Sequence, residues 1–237
     1  MTDPTHPDTI DWNRFWTGAD DEARASATPS AHHMRDLLDD FIAAKGVPGS
    51  VADVGCGPGV VTFHLAGHYP KTTVVGYDAA DAVLDENRAR AREDGVENVR
   101  FERAVLPAFD PGRQFDLVFC YGTLTYVADS ERALRNLHDA VAPGGHLVLG
   151  YMNRLAAAHH RRVVDPDDEL AGDMTDEERA AHAERFRLVL EEESVLSYRR
   201  IHDALGTWPR SFWEVTEKPD QRWAWNHVPA VWVPKEG

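Results

Sequence analysis

Apolar and polar positions follow a repeating order between residue 50 and residue 151. Short β-branched apolar runs alternate with longer amphipathic segments. Strands separated by helix-length segments are typical of a parallel sheet covered by helices on both faces. The pattern therefore predicts a doubly wound α/β domain. The predicted strands are Val51–Val54, Thr73–Tyr77, Val99–Phe101, Phe115–Cys120 and His146–Tyr151, and the predicted helices lie near 60–68, 80–94 and 131–142.

The segments on either side of this block have a different character. Residues 1–33 are polar apart from an aromatic cluster that includes Trp12 and Trp16, and we expect them to form an N-terminal lid. The alternative is that the two tryptophans simply pack an N-terminal helix. The remaining chain, 34–237, is expected to be one domain with a charged helical insertion at about 152–205. Within the later chain we predict helices at Asp176–Glu193 and Ser194–Leu205, a turn at Pro143–Gly145, and β-segments at Ser211–Val215 and Trp223–Val233.

Charge narrows the classes of partner. Forty acidic and 25 basic residues give a formal net charge of −15, and only four of the basic residues are lysines. Such a surface repels nucleic acid and anionic membranes, so neither is expected as a partner. The acid-rich, lysine-poor composition also predicts adaptation to concentrated salt, as in a halophilic archaeon. The alternative is an ordinarily acidic protein from a high-GC organism.

Other features favour a cytoplasmic protein. The chain has no apolar run of about 18 residues that could span a membrane, and it begins with an acidic segment unlike a secretory signal. Cys56 and Cys120 lack the number and spacing of a disulfide framework or a metal site. The two members of each adjacent histidine pair, His32-His33 and His159-His160, would point in different directions on a helix, so no metal site is expected.

Three glycines follow the first predicted strand at alternate positions. Gly55, Gly57 and Gly59 lead into a helix whose first turn contains Pro58. Glycine allows positive φ angles and a close approach of ligand to backbone, and proline fits the first helical turn. The run predicts a tight turn with a ligand over the strand ends. A turn with no ligand is the alternative.

The neighbouring acids narrow the choice of ligand. A dinucleotide fingerprint needs Gly or Ala at its sixth position, where this chain has Val60. Asp53 would repel a diphosphate and suits a cationic ligand, whereas Asp78, after the second strand, can accept hydrogen bonds from ribose hydroxyls. These features indicate a nucleoside with a nearby positive charge and no pyrophosphate, a description that S-adenosylmethionine meets. Asp78 could instead be a turn acid or a helix cap.

Four motifs in register resemble those of the class I S-adenosylmethionine-dependent methyltransferases. They are Asp53-Val-Gly-Cys-Gly-Pro-Gly59, Gly76-Tyr-Asp-Ala79, Phe115–Phe119 leading to Leu124–Val127, and Leu137 through Pro143-Gly-Gly145 to Leu147. Together they cover residues 35–151. The resemblance implies a Rossmann-like, mostly parallel seven-stranded sheet with an antiparallel last strand, S-adenosylmethionine as the cofactor, and methyl transfer as the activity.

The resemblance also implies roles for individual residues. Asp53, Gly55, Cys56 and Gly57 would line the methionine part and ribose of the cofactor, and Gly59 would also belong to its binding site. Asp78 would bind the ribose hydroxyls, and Ala79 would lie against adenine. Cys120 and Tyr121 would sit below the sulfonium and the substrate, although Cys120 could be a plain buried cysteine.

The sequence departs from the family after the third strand. Arg103 stands where the family usually carries an acid that meets the adenine amino group. Apolar contact around Val105 is therefore expected to hold adenine.

The methyl acceptor is expected to be a small or medium organic molecule. Tyr121, Tyr126 and Tyr151 lie near strand ends and are candidates for contact with it. The fourth strand ends in Cys-Tyr-Gly-Thr, unlike the Pro-Pro-Tyr run of amino-group methylases. A methyltransferase acting on protein or tRNA, and a non-catalytic binding module of the same fold, remain alternatives.

Overall fold

A single seven-stranded sheet organises the molecule. The structure, a computed structural model, describes residues 9–31, 33–217 and 226–237. The strands are β1 (Ser50–Val54), β2 (Thr73–Asp78), β3 (Val99–Arg103), β4 (Phe115–Tyr121), β5 (Val141–Gly150), β6 (Arg210–Ser211) and β7 (Ala230–Pro234). The helices are α1 (Trp12–Gly18), α2 (Asp21–Ser26), α3 (Met34–Lys45), α4 (Val60–His68), α5 (Asp81–Glu93), α6 (Ser130–Asp139), α7 (Arg154–Val164), α8 (Asp176–Arg185), α9 (Arg187–Leu190) and α10 (Tyr198–Leu205).

The strand order is β3-β2-β1-β4-β5-β7-β6. The first five strands of this order are parallel, and β7 is antiparallel to both β5 and β6. The prediction of a doubly wound, mostly parallel sheet with an antiparallel last strand is thus confirmed. The chain builds outward from β1 to β3 and then returns to β4 on the other side of β1. Ligands of such sheets bind at this reversal, beyond the carboxyl ends of the strands.

Alternation along the strands builds a separate apolar core on each face of the sheet. Val51 and Leu117 belong to the core that contains α3 and α4 residues such as Phe41 and Leu65. Their neighbours Ala52 and Val118 belong to the other core, with Leu134 of α6 and Ile201 of α10. Because successive side chains point to opposite faces, strands that are buried on both sides appear in the sequence as unbroken apolar runs.

The turn predicted at Pro143–Gly145 is wrong, because these residues lie inside β5. Helix α6 ends before them at Asp139, and pairing shifts from Phe115 with Val141 to Leu117 with His146. Gly144 and Gly145 instead exchange backbone hydrogen bonds with Lys235, next to β7. The Pro-Gly-Gly run thus lies at an irregularity within a strand. Proline and glycine are common at such irregularities as well as in turns.

The helices predicted at Asp176–Glu193 and Ser194–Leu205 are both shorter in the structure. The first is interrupted at Phe186, whose ring is buried and stacks on His160 with centroids 4.2 Å apart. The second begins only at Tyr198, because the Ser197 side chain caps it by accepting a hydrogen bond from the Arg200 amide.

The last β-segments are shorter than expected. In the predicted strand Ser211–Val215, residues Phe212–Glu214 form a 3-10 turn that places Phe212 in the core against Phe41. Of Trp223–Val233, residues from Ala230 onward lie in β7, and residues 223–225 lie outside the described residues.

Candidate functional site

A cavity opens at the carboxyl ends of β1, β2 and β4, at the reversal of strand order. It encloses about 790 Å³, counting its open mouth. The strand ends form its floor, and the N-terminal segment covers one side of it. The lining residues are Thr9, Trp12, Trp16, 27–30, 54–58, Asp78, Ala79, 104–106, 121–123, Tyr126 and Val127.

The glycine-rich turn after β1 requires glycine on steric grounds. Gly55, Gly57 and Gly59 have φ angles of +77°, +49° and +71°, which side-chain-bearing residues rarely adopt. A Cβ on Gly55 would lie 2.0 Å from the hydroxyl oxygen of Thr123. A Cβ on Gly57 would lie 3.4 Å from the ring of Trp16. The turn therefore presents bare backbone to the cavity at Gly55 and Gly57, while Gly59 lies behind the wall at the start of α4.

Asp78 lies on the cavity wall and also stabilises the turn. One carboxylate oxygen accepts a hydrogen bond from the Gly57 amide at 2.9 Å, and the other accepts one from the Ala80 amide at 3.0 Å. A carboxylate has about four lone-pair sites, so its hydrogen bonds to the turn do not exclude a contact with ligand hydroxyls. The role of a turn acid and that of a ligand-binding acid are thus compatible at this position.

Asp53 lies behind the wall and not on it. Its side chain is 3% exposed and accepts a 2.5 Å hydrogen bond from the Thr62 hydroxyl. Burial is the main cause that raises its pKa to about 7, and the charge of Asp78 adds to the effect, whereas the Thr62 bond opposes it. In this geometry Asp53 does not contact a ligand in the cavity. Any effect of its charge on a cationic ligand would act through the turn.

The two cysteines occupy different positions. Cys56 lies on the cavity wall, and burial raises the pKa of its thiol well above the usual range. Cys120 is fully buried on the opposite face of the sheet, and burial raises its pKa to about 12. Cys120 is therefore placed as a core residue and away from the cavity lining.

The wall after β3 is apolar. Ala79 and Val105 both line the cavity, and Ala104 and Leu106 extend the same surface. Arg103 does not line it; its guanidinium pairs with Asp81 at 3.4 Å on the surface. Arg103, which stands where the resemblance would place an adenine-binding acid, thus has a surface partner instead.

The structure brings two of the three candidate tyrosines into the cavity. Tyr121 and Tyr126 line it, and burial raises the pKa of both, so both hydroxyls are protonated near neutral pH. The Tyr121 hydroxyl lies 3.5 Å from His33 Nε2. The placement of Tyr151 at this site is wrong: it belongs to the core of the other sheet face and borders a different groove, with Tyr198.

Several residues that support the site could not be singled out from the sequence. Asn87 of α5 is buried and donates a 2.7 Å hydrogen bond to the Gly57 carbonyl, which fixes the turn from behind. A polar residue on the apolar face of a predicted helix was the available signal. Arg185 of α8 donates to the Tyr126 hydroxyl at 3.2 Å and to Ser26 at 3.0 and 3.2 Å. No local signal indicated that arginine.

Two features are absent from the described residues: a cluster of metal ligands and a membrane-spanning helix. Within residues 9–31, 33–217 and 226–237, no cluster of three or more His, Cys, Asp or Glu side chains is arranged to hold a metal ion. In the same part of the chain, no helix has the length and apolar character needed to cross a bilayer.

Comparison with known proteins connects this geometry to a family. Residues 52–147 match a family model described as a methyltransferase domain. The chain is 32% identical over 114 residues to trans-aconitate 2-methyltransferase of Methylobacterium nodulans, which covers 48% of this chain and 42% of that protein. It is 30% identical over 114 residues to a ubiquinone biosynthesis O-methyltransferase of Acinetobacter baumannii, covering 47% of each. The chain thus spans less than half the length of these two relatives.

A solved structure extends the likeness to almost the whole chain. The plantazolicin methyltransferase BpumL, solved with S-adenosylhomocysteine (SAH), superimposes with a TM-score of 0.63 over 95% of this chain and 94% of its own, at 11% identity. At that identity the likeness concerns the fold. Residues 52–147, from β1 into β5, therefore match the methyltransferase domain family, within a chain that has the fold of a methyltransferase.

Proposed function

We propose that this protein binds S-adenosylmethionine and transfers its methyl group to a small or medium organic acceptor. The observation that carries the proposal is the position of Asp78, whose carboxylate faces the cavity beside a glycine turn of bare backbone. That carboxylate suits a nucleoside with ribose hydroxyl donors, and Val60 stands where a dinucleotide fingerprint needs Gly or Ala. The residues present therefore fit the cofactor.

Each part of the cofactor has a matching wall in this proposal. Asp78 binds the ribose hydroxyls, and the backbone of Gly55–Gly57 lies along the methionine part. Ala79 and Val105 hold adenine by apolar contact, without the usual acid. When bound, S-adenosylmethionine supplies an already activated methyl group on its sulfonium, and transfer is an in-line displacement.

The contribution of the protein is orientation and exclusion of water. Binding in a fixed geometry lowers the entropic cost of bringing the two reactants together. The N-terminal segment covers the cavity through Trp12, Trp16 and Pro29, and the last of these packs against Gly122 at the end of β4. We propose that this segment, residues 1–33, acts as a lid that keeps water from the reacting atoms.

Titration calorimetry with S-adenosylmethionine tests the proposal. Asp78→Ala is expected to weaken binding at least tenfold, which corresponds to about 1.4 kcal/mol. Asp81→Ala is the matched control, because Asp81 begins α5 close by, is 58% exposed and does not line the cavity. Thermal unfolding of each variant shows whether it is folded.

Three outcomes separate the alternatives. Absence of binding by the folded native protein at millimolar cofactor would contradict the proposal. Unchanged affinity in Asp78→Ala would show that the ribose assignment is wrong. Binding without labelled-methyl transfer to any component of a metabolite extract would favour a non-catalytic binding module.

A further inference from the structure

The described wall of the cavity carries one charged side chain, Asp78. The other described lining groups are apolar, aromatic or neutral polar. The Trp12 ring lies 6.4 Å from the Trp16 ring and 4.7 Å from the Tyr126 ring, measured between centroids. Together with Tyr121 these residues form the aromatic wall of the cavity. A carboxylate that enters such a cavity loses hydration and meets no cationic side chain of the described wall, which is unfavourable.

Two arginines make described contacts with this aromatic wall. Arg24 donates to the Trp16 carbonyl at 2.5 Å and to the Glu86 carboxylate at 2.6 Å, and it is not a described lining residue. Arg185 is the second arginine, and its nitrogens also have partners. Its two terminal nitrogens donate to the hydroxyl and carbonyl of Ser26, and its Nε donates to the Tyr126 hydroxyl. Its guanidinium carbon lies 5.5 Å from the Phe15 ring centroid and 5.0 Å from that of Phe186. Arg185 is therefore not a described lining residue, and each of its three nitrogens already donates to Tyr126 or Ser26.

Two neutral hydroxyl groups on the wall retain unused hydrogen-bonding capacity. The Tyr126 hydroxyl accepts from Arg185, so its own proton is available to donate to an oxygen or nitrogen of a ligand. The Thr9 hydroxyl oxygen is buried and has no hydrogen-bond partner among the described residues. Buried polar groups are nearly always paired, so an unpaired hydroxyl on a cavity wall points to a ligand with a polar group.

From these contacts we infer that the acceptor is an uncharged aromatic molecule with a neutral hydroxyl, carbonyl or amide group, and not a polycarboxylic acid. This inference rests on the proposed function. It sets the site apart from what the name trans-aconitate 2-methyltransferase describes, since trans-aconitate is a tricarboxylic acid. The aromatic side chains stack on the ring of the acceptor, and Tyr126 and Thr9 bind its polar group.

The test measures binding of two matched ligands to the protein loaded with SAH. para-Hydroxybenzamide and para-hydroxybenzoate share a ring and differ in the charge of one substituent; trans-aconitate is the third ligand. The amide is expected to bind at least tenfold more tightly than either acid. Equal or tighter binding of either acid overturns the inference, and so does failure of the amide to bind at millimolar concentration.

Two variants locate the binding site. Trp12→Ala is expected to weaken binding of the amide about threefold to tenfold through loss of ring contact. Trp208→Ala is the control, since Trp208 is 57% exposed and stacks on His202 away from the cavity. Equal effects of the two variants would contradict the location.

Titration of SAH alone comes first: its failure to bind counts against the proposed function, whereas SAH binding with tighter binding of the acids counts against the acceptor class alone.

Discussion

Replacement of Asp53 by asparagine should remove a pH dependence of stability that this buried carboxyl imposes. The asparagine side chain keeps the shape of the aspartate and an oxygen that can accept the Thr62 hydrogen bond. It has no ionisable group. Since burial is the main cause that raises the pKa of Asp53 to about 7, the native state holds a proton there that the unfolded chain releases near pH 3.8.

The sign and size follow from proton linkage. Between pH 3.8 and about 7 the native state binds more protons than the unfolded state, so the free energy of unfolding falls as pH rises through this window. One pKa unit corresponds to about 1.4 kcal/mol. From pH 5 to pH 8 the native protein should therefore lose about 2–3 kcal/mol relative to Asp53→Asn.

Urea unfolding of both proteins at several pH values, at constant ionic strength, measures this difference. Burial lowers the pKa of His160 to about 3, so that residue makes stability rise with pH from about 3 to 6.5. The His160 effect is common to both proteins and cancels when their free energies are subtracted. Parallel profiles from pH 5 to pH 8 would refute the burial argument.

A second substitution checks the same reasoning. The hydrogen bond from Thr62 lowers the pKa of Asp53. Thr62→Val should therefore raise that pKa further and extend the falling limb of the profile to higher pH. A shift to lower pH would show that the hydrogen bond is not what stabilises the carboxylate.

Three further predictions concern the turn, the lid and the surface. Gly55→Ala forces a side chain into positive φ and against Thr123, so it should destabilise the fold by at least about 1–2 kcal/mol and abolish cofactor binding; Gly67→Ala, in open space within α4, should do neither. Arg185→Lys keeps the charge but loses the forked guanidinium that holds Tyr126 and Ser26. It should raise the KM for the acceptor and speed proteolysis of the N-terminal segment, and it should leave cofactor affinity unchanged. Arg199→Lys is the control, since the Arg199 side chain is 85% exposed, and it should change neither the KM nor the proteolysis. The melting temperature should rise with salt concentration, because the Debye screening length falls to about 3 Å at 1 M salt and repulsion among acidic groups weakens. Full stability at low salt would contradict adaptation to concentrated salt.

The sheet and the glycine turn could be predicted because their signals are local. Strands buried on both faces show as apolar runs, and the predicted ends of β1, β2 and β4 lie within one residue of those observed. Gly55 directly follows β1, Gly57 lies two residues further on in the same turn, and Asp78 ends β2, so all three reach the cavity at the ends of parallel strands. Their positions therefore depend on topology that the alternation of strands and helices already implies.

Residues whose placement depends on the choice of sheet face could not be predicted in the same way. Cys120 and Tyr121 are neighbours, yet Cys120 belongs to one core and Tyr121 to the other, where it lies by the cavity. Tyr151 follows the end of β5 as Tyr121 ends β4, but it belongs to the same core as Cys120. The sequence marks a strand end; it does not show which way the last side chain points, because a shift of one residue reverses the face.

Contacts between distant segments account for the rest of the site. Ser26 and Arg185 are 159 positions apart, and their bond joins the N-terminal segment to α8 above Tyr126. Because the guanidinium is used in that bond, the aromatic wall stays uncharged even though the chain as a whole carries a net charge of −15. Charged groups on the surface are screened by salt, whereas the aromatic wall of the cavity consists of apolar and neutral polar groups. The charge of the sequence therefore describes the solvent-facing surface, and the chemistry of the acceptor has to be inferred from the wall that the folded chain assembles.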